Sequence, residues 1–598
     1  MMSAAHINWS TGTLLHSIMW PFSCYPELSL RDISDEYDFI VVGGGTAGAA
    51  LANRLSTQEA NKVLLIERGS VADNWASRVP LLSADFASDG SRTRKVLSAP
   101  QDILGRSLEL YTGSALGGTS RINQMLYGRG LPAEYNAWRD AGNPGWGWED
   151  IKPYFLKSER ALYPSDPSVH NTEGEWCNQA TETDGLAFPG FLNVIEASEN
   201  IGLPKISDIN SPVHPAIGCG LLHFTRDKNQ HRSSTYSAFL PMNLVLQRAS
   251  RLHIVTRTDA IKLTLKPDTS SDKLDVEGVI LSSSLYPGQR FVKARKEVII
   301  CAGPFGSPQL LMLSGIGPAL HLKEKGITLV KDLPAVGSNL QDHFGVSVAF
   351  EVPMSHSLLS LQKRPWRFFI ELFKYLLFGT GMLLAPVLQM ALFASSTLLD
   401  SGGLPKSPVE DKPDVLPDIE IMPMAYDSTD NPEMNRGMFS FLNVLLHPKS
   451  KGTVRLSSRN PSDPLIIDPQ YLSNPADYAP LRASLKLTLR LRDRMLKQGY
   501  PLKDFGVPDG EDDASLDKFI CKRNRTTYHY SSTCRMGPDN GKEDGGVVNE
   551  ELFVHGFGNL RVADSSVFPW VLGTHLQAPA VAVAEKCADM VLSRYQAV

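Results

Sequence analysis

Residues Tyr37 to Ser56 read YDFIVVGGGTAGAALANRLS: an apolar run, three consecutive glycines, then an alanine-rich stretch. Gly43, Gly45 and Gly48 fit G-x-G-x-x-G, directly after Phe39-Ile40-Val41-Val42 and directly before Ala49, Ala50, Leu51 and Leu55. Strand, turn and helix follow from that pattern. The first glycine makes the tight turn, the second lets backbone approach a pyrophosphate, and the third lets helix and strand pack closely. The pyrophosphate would rest on the helix N-terminus, against Thr46 and Ala47, where free N–H groups and the helix dipole favour an anion. A second strand, Val63-Leu64-Leu65-Ile66, ends on Glu67. A carboxylate roughly 20 residues past the glycines accepts hydrogen bonds from a ribose and repels a 2′-phosphate. The expectation is a dinucleotide site, not one for NADP.

Composition removes other classes. A net charge of -5 leaves no basic footprint for nucleic acid. No run reaches the roughly 18 uninterrupted apolar residues of a membrane span; Trp366 to Leu377 is broken by Arg367, Glu371 and Lys374 and reads as an amphipathic or buried helix. Seven scattered cysteines with no C-x-x-C pair argue against structural zinc and a disulfide framework, and no metal is expected. Within the N-terminal extension, residues 1–36, the apolar piece Thr13 to Pro21 lacks a basic n-region, so a cytoplasmic protein is expected over a secreted one. The sequons at Asn8 and Asn524 are what chance supplies.

Two further glycine-rich segments stand far apart: YTGSALGGTSRINQMLYGRG from Tyr111, with Gly117, Gly118, Thr119 and Asn123, and GPFGSPQLLMLSGIG from Gly303. The second follows the strand-like Glu297 to Ala302. Both suit one nucleotide-binding domain built from discontinuous pieces.

With these segments the chain resembles the glucose-methanol-choline (GMC) oxidoreductases, FAD-dependent alcohol oxidases and dehydrogenases. Gly303 to Gly317 fits the second signature of that family. Gly113 to Asn123 fits the first from Leu116 onward, with Ser114 replacing the expected basic or Asn residue. Asn143-Pro144-Gly145-Trp146 and the stretch His447-Pro448 through Asp468-Pro469 are also family-like. The resemblance implies FAD, with ADP against the first glycine motif and the flavin ring near the second. Ile122 stands where some members attach FAD through a His, so the cofactor is expected to be non-covalent. The expected cofactor-binding residues are Gly43, Gly45, Thr46, Ala47, Gly48, Glu67, Gly117, Gly118, Thr119, Asn123, Ala260, Gly303, Asp564 and Gln577.

The segment YHYSSTCRMG from Tyr528 is similar to the family's H-P-x-G-T-x-x-M-G, which puts His529 at the catalytic-base position, while Tyr530 and Ser532 replace Pro and Gly. An imidazole suits that task because its pKa lies near working pH. In the same way Asp564 matches an Asp near the flavin's ribityl and phosphate region, and His575 matches the second catalytic position. The resemblance therefore implies oxidation of a primary or secondary alcohol by hydride transfer to flavin. His529 would act as base and His575 would orient the oxygen, with O2 or another acceptor taking the electrons, in specialised metabolism. A redox-neutral lyase or cyclase, or a light-driven flavoenzyme on the same site, is the alternative. A third possibility, a binding protein with a vestigial site, would have lost Asp564, His529 or a glycine.

The expected architecture is α/β: a doubly wound Rossmann-like FAD domain from residues 37–160, 235–335 and 545–598, and a discontinuous substrate domain from 161–234 and 336–544. Alternating runs Asp418 to Met422, Phe439 to Leu446 and Gly452 to Leu456 suggest an antiparallel sheet walling the substrate pocket. Ser401 to Asp418, rich in Pro, Gly and Ser, reads as a surface loop. The apolar set Trp366, Phe368, Phe369, Phe373, Tyr375, Leu376 and Leu377, followed by Met382 to Leu384, is expected either to line an entrance for an apolar or aromatic alcohol or to pack between domains.

Overall fold

The computed structural model describes residues 24–84, 89–212, 216–266, 273–384, 387–406 and 415–596. The Thr13 to Pro21 piece, the Asn8 sequon and the middle of the Ser401 to Asp418 segment lie outside them.

The opening strand, Glu36–Val42, is apolar throughout its second half and lies between two parallel neighbours, Val63–Ile66 and Gln289–Ile300. Burial on both faces explains its unbroken apolar run, since a parallel sheet is covered by helices on each side. Leu252–Val255 extends the sheet beyond Val63–Ile66, and Leu560–Val562 joins the far end of Gln289–Ile300, both in parallel. The first half of Gln289–Ile300 pairs antiparallel with Val276–Ser283, which pairs with Thr258–Leu265. The carboxyl ends of the parallel strands therefore converge at Gly43, Glu67, Cys301 and Asp564, the crevice where open α/β sheets bind ligands.

Helix Thr46–Leu55 is small-sided and nearly all buried. The last helix, Gln577–Gln596, packs along it with Ala580, Ala584, Cys587 and Val591 turned inward. Each valine or leucine so buried contributes about 1.5–3 kcal/mol. A buried ion pair pins the two helices: Arg54 Nε lies 2.8 Å from Glu585 Oε2, and Arg54 also meets Glu175 at 2.6 Å.

The second large sheet runs Lys503–Gly506, Phe344–Val352, Gly437–Leu445, Ile419–Met424, Met390–Ala394, Gly218–Leu221 and Lys205–Ile206, with Asn524–Thr526 beside Phe344–Val352. It is antiparallel except at its final pair. Helix Tyr478–Lys497 covers one face through Leu481, Leu485, Thr488, Leu491 and Met495, spaced at three and four residues. Thr488 Oγ1 donates to Asn443 Oδ1 at 2.6 Å, fixing helix to strand. The other face looks toward the carboxyl ends of the first sheet.

The run around Thr453–Arg455 does not join that sheet. It pairs with Ile466–Asp468 as a separate ribbon, because Leu340 and Gly452 bridge it to the segment leading into Phe344–Val352. The stretch between its strands closes over the central cavity instead. Of the two readings of the apolar insertion the structure matches packing: the apolar side chains of helix Pro365–Phe378 that turn inward, Phe368, Leu372 and Tyr375, rest on Val79 and Leu383, and none of its residues lines the cavity.

Candidate active site

A cavity of about 830 Å³ runs between the two sheets, within the roughly 300–1,000 Å³ usual for cofactor sites. One end is formed by Glu67, Thr258, Asp259 and Ala260, the middle by Gly43, Gly45, Thr46, Ala47, Gly118, Thr119, Asn123, Gly303 and Asp564, and the other end by His529, His575 and Gln577.

The two glycine loops cross in van der Waals contact. Gly117 N donates to Gly44 O at 2.7 Å, and a Cβ on Gly118 would fall 2.7 Å from Gly45 Cα. A Cβ on Gly43, whose φ is +103°, would fall 2.4 Å from Cys301 O. Gly45 differs: it has an ordinary φ, and the nearest protein atom to a Cβ there is 3.8 Å away. Its missing side chain leaves space in the cavity and not in the packing. No side chain caps helix Thr46–Leu55, and its first turn carries no acid, so the N–H groups at its start face the cavity ready for an anion. Glu67 accepts from Gly44 N at 2.9 Å and Gly69 N at 2.7 Å, while burial pushes its carboxyl up to about 7. Asp564 accepts from Gly303 N at 2.9 Å and Ser307 Oγ at 2.6 Å, which holds the turn ahead of helix Gly303–Leu313. Asn123 and Gln577 bond each other at 2.9 Å, and Arg232 donates to Asn123 Oδ1 at 2.8 Å. An elongated cleft with a glycine cradle, an open helix N-terminus and a terminal carboxylate fits FAD. Gly48 and Gly117 do not reach the cavity. A Cβ on Gly48 would sit 1.9 Å from Gly43 O, and one on Gly117 would sit 2.8 Å from Tyr236 Cβ, so both serve packing.

At the far end the imidazoles form a chain. His529 Nδ1 lies 2.9 Å from His343 Nδ1, its Nε2 lies 3.2 Å from His575 Nδ1, and His575 Nε2 lies 3.1 Å from Glu420 Oε1. Glu420 Oε1 occupies the Nε2 side of the His575 ring and so fixes its orientation. Burial first, then the neighbouring imidazoles, holds His529 well below the ordinary histidine value; burial lowers His343 to about 3. His529 is thus neutral at neutral pH. Its backbone is fixed by Asp342, whose Oδ1 accepts from His529 N at 2.6 Å while Oδ2 accepts from Tyr471 and Thr526 hydroxyls. Burial raises that carboxyl to about 7.

The wall above the histidines is apolar: Leu126, Leu388, Met422, Met424 and Leu442. Tyr530, in place of the expected proline, packs at a tilt against Phe305, 4.7 Å between centroids. Ser532, in place of the expected glycine, is buried with φ +71°, the left-handed region that glycine adopts without strain.

His343, Asp342 and Glu420 were not singled out from sequence. Glu420 sits in Ile419–Met424, part of the sheet expected to wall the pocket; the strand is buried throughout, and Glu420 reaches His575. Elsewhere His170, Asp208 and His223 bring ligand-type atoms within 4.8 Å of one another. Both ring nitrogens of His170 are taken, by Glu159 and by Asp208 at 2.9 Å each.

The model of the GMC oxidoreductase family matches residues 37–345 in its N-terminal part and 448–584 in its C-terminal part. Dehydrogenase str4 of Strobilurus tenacellus is 34% identical over 93% of this chain and 94% of its own length. The alcohol dehydrogenase (acceptor) of Pseudomonas putida is 31% identical over 93% and 96%. Among solved structures, pyridoxine 4-oxidase from Mesorbium loti superposes with TM-score 0.79 at 27% identity, covering 94% of this chain and 99% of that one. A fungal aryl-alcohol oxidase superposes with TM-score 0.80 at 25% identity, covering 94% and 100%.

Proposed function

From the premise that this chain belongs to the GMC oxidoreductases and uses FAD, we propose that it oxidises an apolar alcohol, aromatic or aliphatic, at its CH–OH carbon. The observation that carries the reading is the 3.2 Å approach of His529 Nε2 and His575 Nδ1 under an apolar wall, at one end of the cofactor cavity.

A substrate hydroxyl placed against the pair, within reach of both ring nitrogens, meets the neutral imidazole of His529 and the ring of His575. His529 Nε2 takes the hydroxyl proton as general base, a role worth roughly 10²–10⁴-fold. His575, held in orientation by Glu420, hydrogen-bonds the oxygen and stabilises the charge that develops there. FAD, when bound, supplies the acceptor for the hydrogen leaving carbon. Leu388, Met422, Met424 and Leu442 exclude water and select for an apolar substituent. Ile122, which lines the cavity, offers no nucleophile, in keeping with non-covalent FAD.

The test is turnover of the flavin-loaded protein on benzylic, long-chain aliphatic and sugar alcohols, with oxygen and with an artificial electron acceptor. Benzylic or long-chain alcohols turning over well ahead of sugars is the expected result. Preference for sugars, or no turnover of any alcohol, would contradict the reading.

A further inference from the structure

Helix Pro365–Phe378 turns its best apolar side chains to solvent. Trp366, Phe369, Ile370, Phe373, Leu376 and Leu377, spaced at three, four and seven residues, form one stripe with exposures between 45% and 65%. The opposite side, through Phe368, Leu372 and Tyr375, already rests on the protein. Such a contiguous patch rarely stands bare on a soluble protein.

The charges around it name its counterpart. Between Val352 and Leu399 the chain has four basic residues, Lys363, Arg364, Arg367 and Lys374, and one acid, Glu371, within a protein of net charge -5. Glu371 is turned inward, accepting from Met382 N at 2.7 Å and Lys374 Nζ at 2.8 Å. The stripe is thus rimmed by cations alone along its own segment. Two copies packed through it would set these basic rims against each other, whereas anionic headgroups complement them. With 14 residues the helix is about 21 Å long, short of the roughly 30 Å needed to cross a bilayer. Its Gly379 terminus, at φ +59°, turns the chain back into the protein. A tryptophan- and phenylalanine-rich face with a basic rim is the pattern of a helix lying in the membrane interface.

We propose that helix Pro365–Phe378 seats this protein on the surface of an anionic lipid bilayer, in the plane of the interface, with the Trp366-to-Leu377 stripe at the acyl boundary. The inference is independent of which alcohol is oxidised.

The experiment is flotation of the flavin-loaded full chain with phosphatidylcholine vesicles, with and without phosphatidylserine. Wild type floats with the anionic vesicles, and the F369S/F373S/L377S variant loses binding by on the order of tenfold or more at unchanged flavin content and alcohol turnover. The K363Q/R364Q variant, which leaves the apolar face alone, loses about fivefold per charge on phosphatidylserine vesicles and little on neutral ones. It carries the test if the first variant does not fold. Failure of wild type to float, or equal flotation of both variants with wild type, overturns the proposal. So does a wild-type dimer that ignores vesicles and that F369S/F373S/L377S splits, since the stripe would then be a protein interface.

Discussion

His529 Nε2 and His575 Nδ1 face each other at 3.2 Å, and behind His575 the Glu420 carboxylate takes Nε2 at 3.1 Å. The carboxylate holds the His575 ring in place, and burial first, then the neighbouring imidazoles, keep His529 well below the ordinary histidine value. Replacing the carboxylate while keeping the shape should therefore weaken catalysis more than binding. For Glu420→Gln, kcat falls about 10–100-fold, the usual loss for a partner that orients an imidazole, with KM little changed. A loss confined to KM would mean that Glu420 contacts substrate and not His575.

Gly45 separates the cofactor's demand for space from the protein's own. A Cβ there meets no protein atom closer than 3.8 Å, so Gly45→Ala folds normally and its apoprotein melts like wild type. Its FAD affinity drops by at least about tenfold, because backbone at the second glycine must approach the pyrophosphate. Retention of flavin through gel filtration and its titration back into apoprotein read this out; unchanged affinity would place the dinucleotide elsewhere.

The loop that carries His529 holds Ser532 at φ +71°. An L-residue pays roughly 1–2 kcal/mol there, so Ser532→Gly stabilises the protein by about 1 kcal/mol in denaturant unfolding. Destabilisation would show that the Ser532 hydroxyl, 3.2 Å from Ser531 Oγ, matters more than the strain.

Asp342 and His343 are neighbours whose burial has opposite signs. Burial lowers His343 to about 3, so its unfolded form binds a proton that the folded form refuses. The stability of wild type relative to His343→Asn is full above about 6.5 and is lost as pH falls toward 3. Asp342 is raised to about 7, so the stability of wild type relative to Asp342→Asn is full below about 4 and is lost as pH rises through 7. Unfolding free energies of the three proteins across this range measure both slopes; parallel curves would contradict both.

The glycine motif, its flanking strand and helix, and Glu67 were legible because each obeys a local rule: a period, a turn or a spacing. The family resemblance carried the reading to His529 and His575. What local pattern could not reveal depends on the second partner of an element. Glu420 gives no local sign that it will reach His575, and His343 none that strand pairing will bring it to His529. The composition of the aromatic helix left open whether it is amphipathic or fully buried; among the described residues only the Phe368, Leu372 and Tyr375 side of Pro365–Phe378 packs against the protein.

The central claim is that His529 removes the hydroxyl proton. Anaerobic mixing of the flavin-loaded protein with a benzylic alcohol, followed through the visible absorbance of oxidised flavin, tests it directly when wild type and His529→Asn are compared across pH. The account predicts that the variant keeps its flavin and that its absorbance decays on the order of a hundredfold or more slowly. Near-normal bleaching by His529→Asn would contradict it and move the base to another residue.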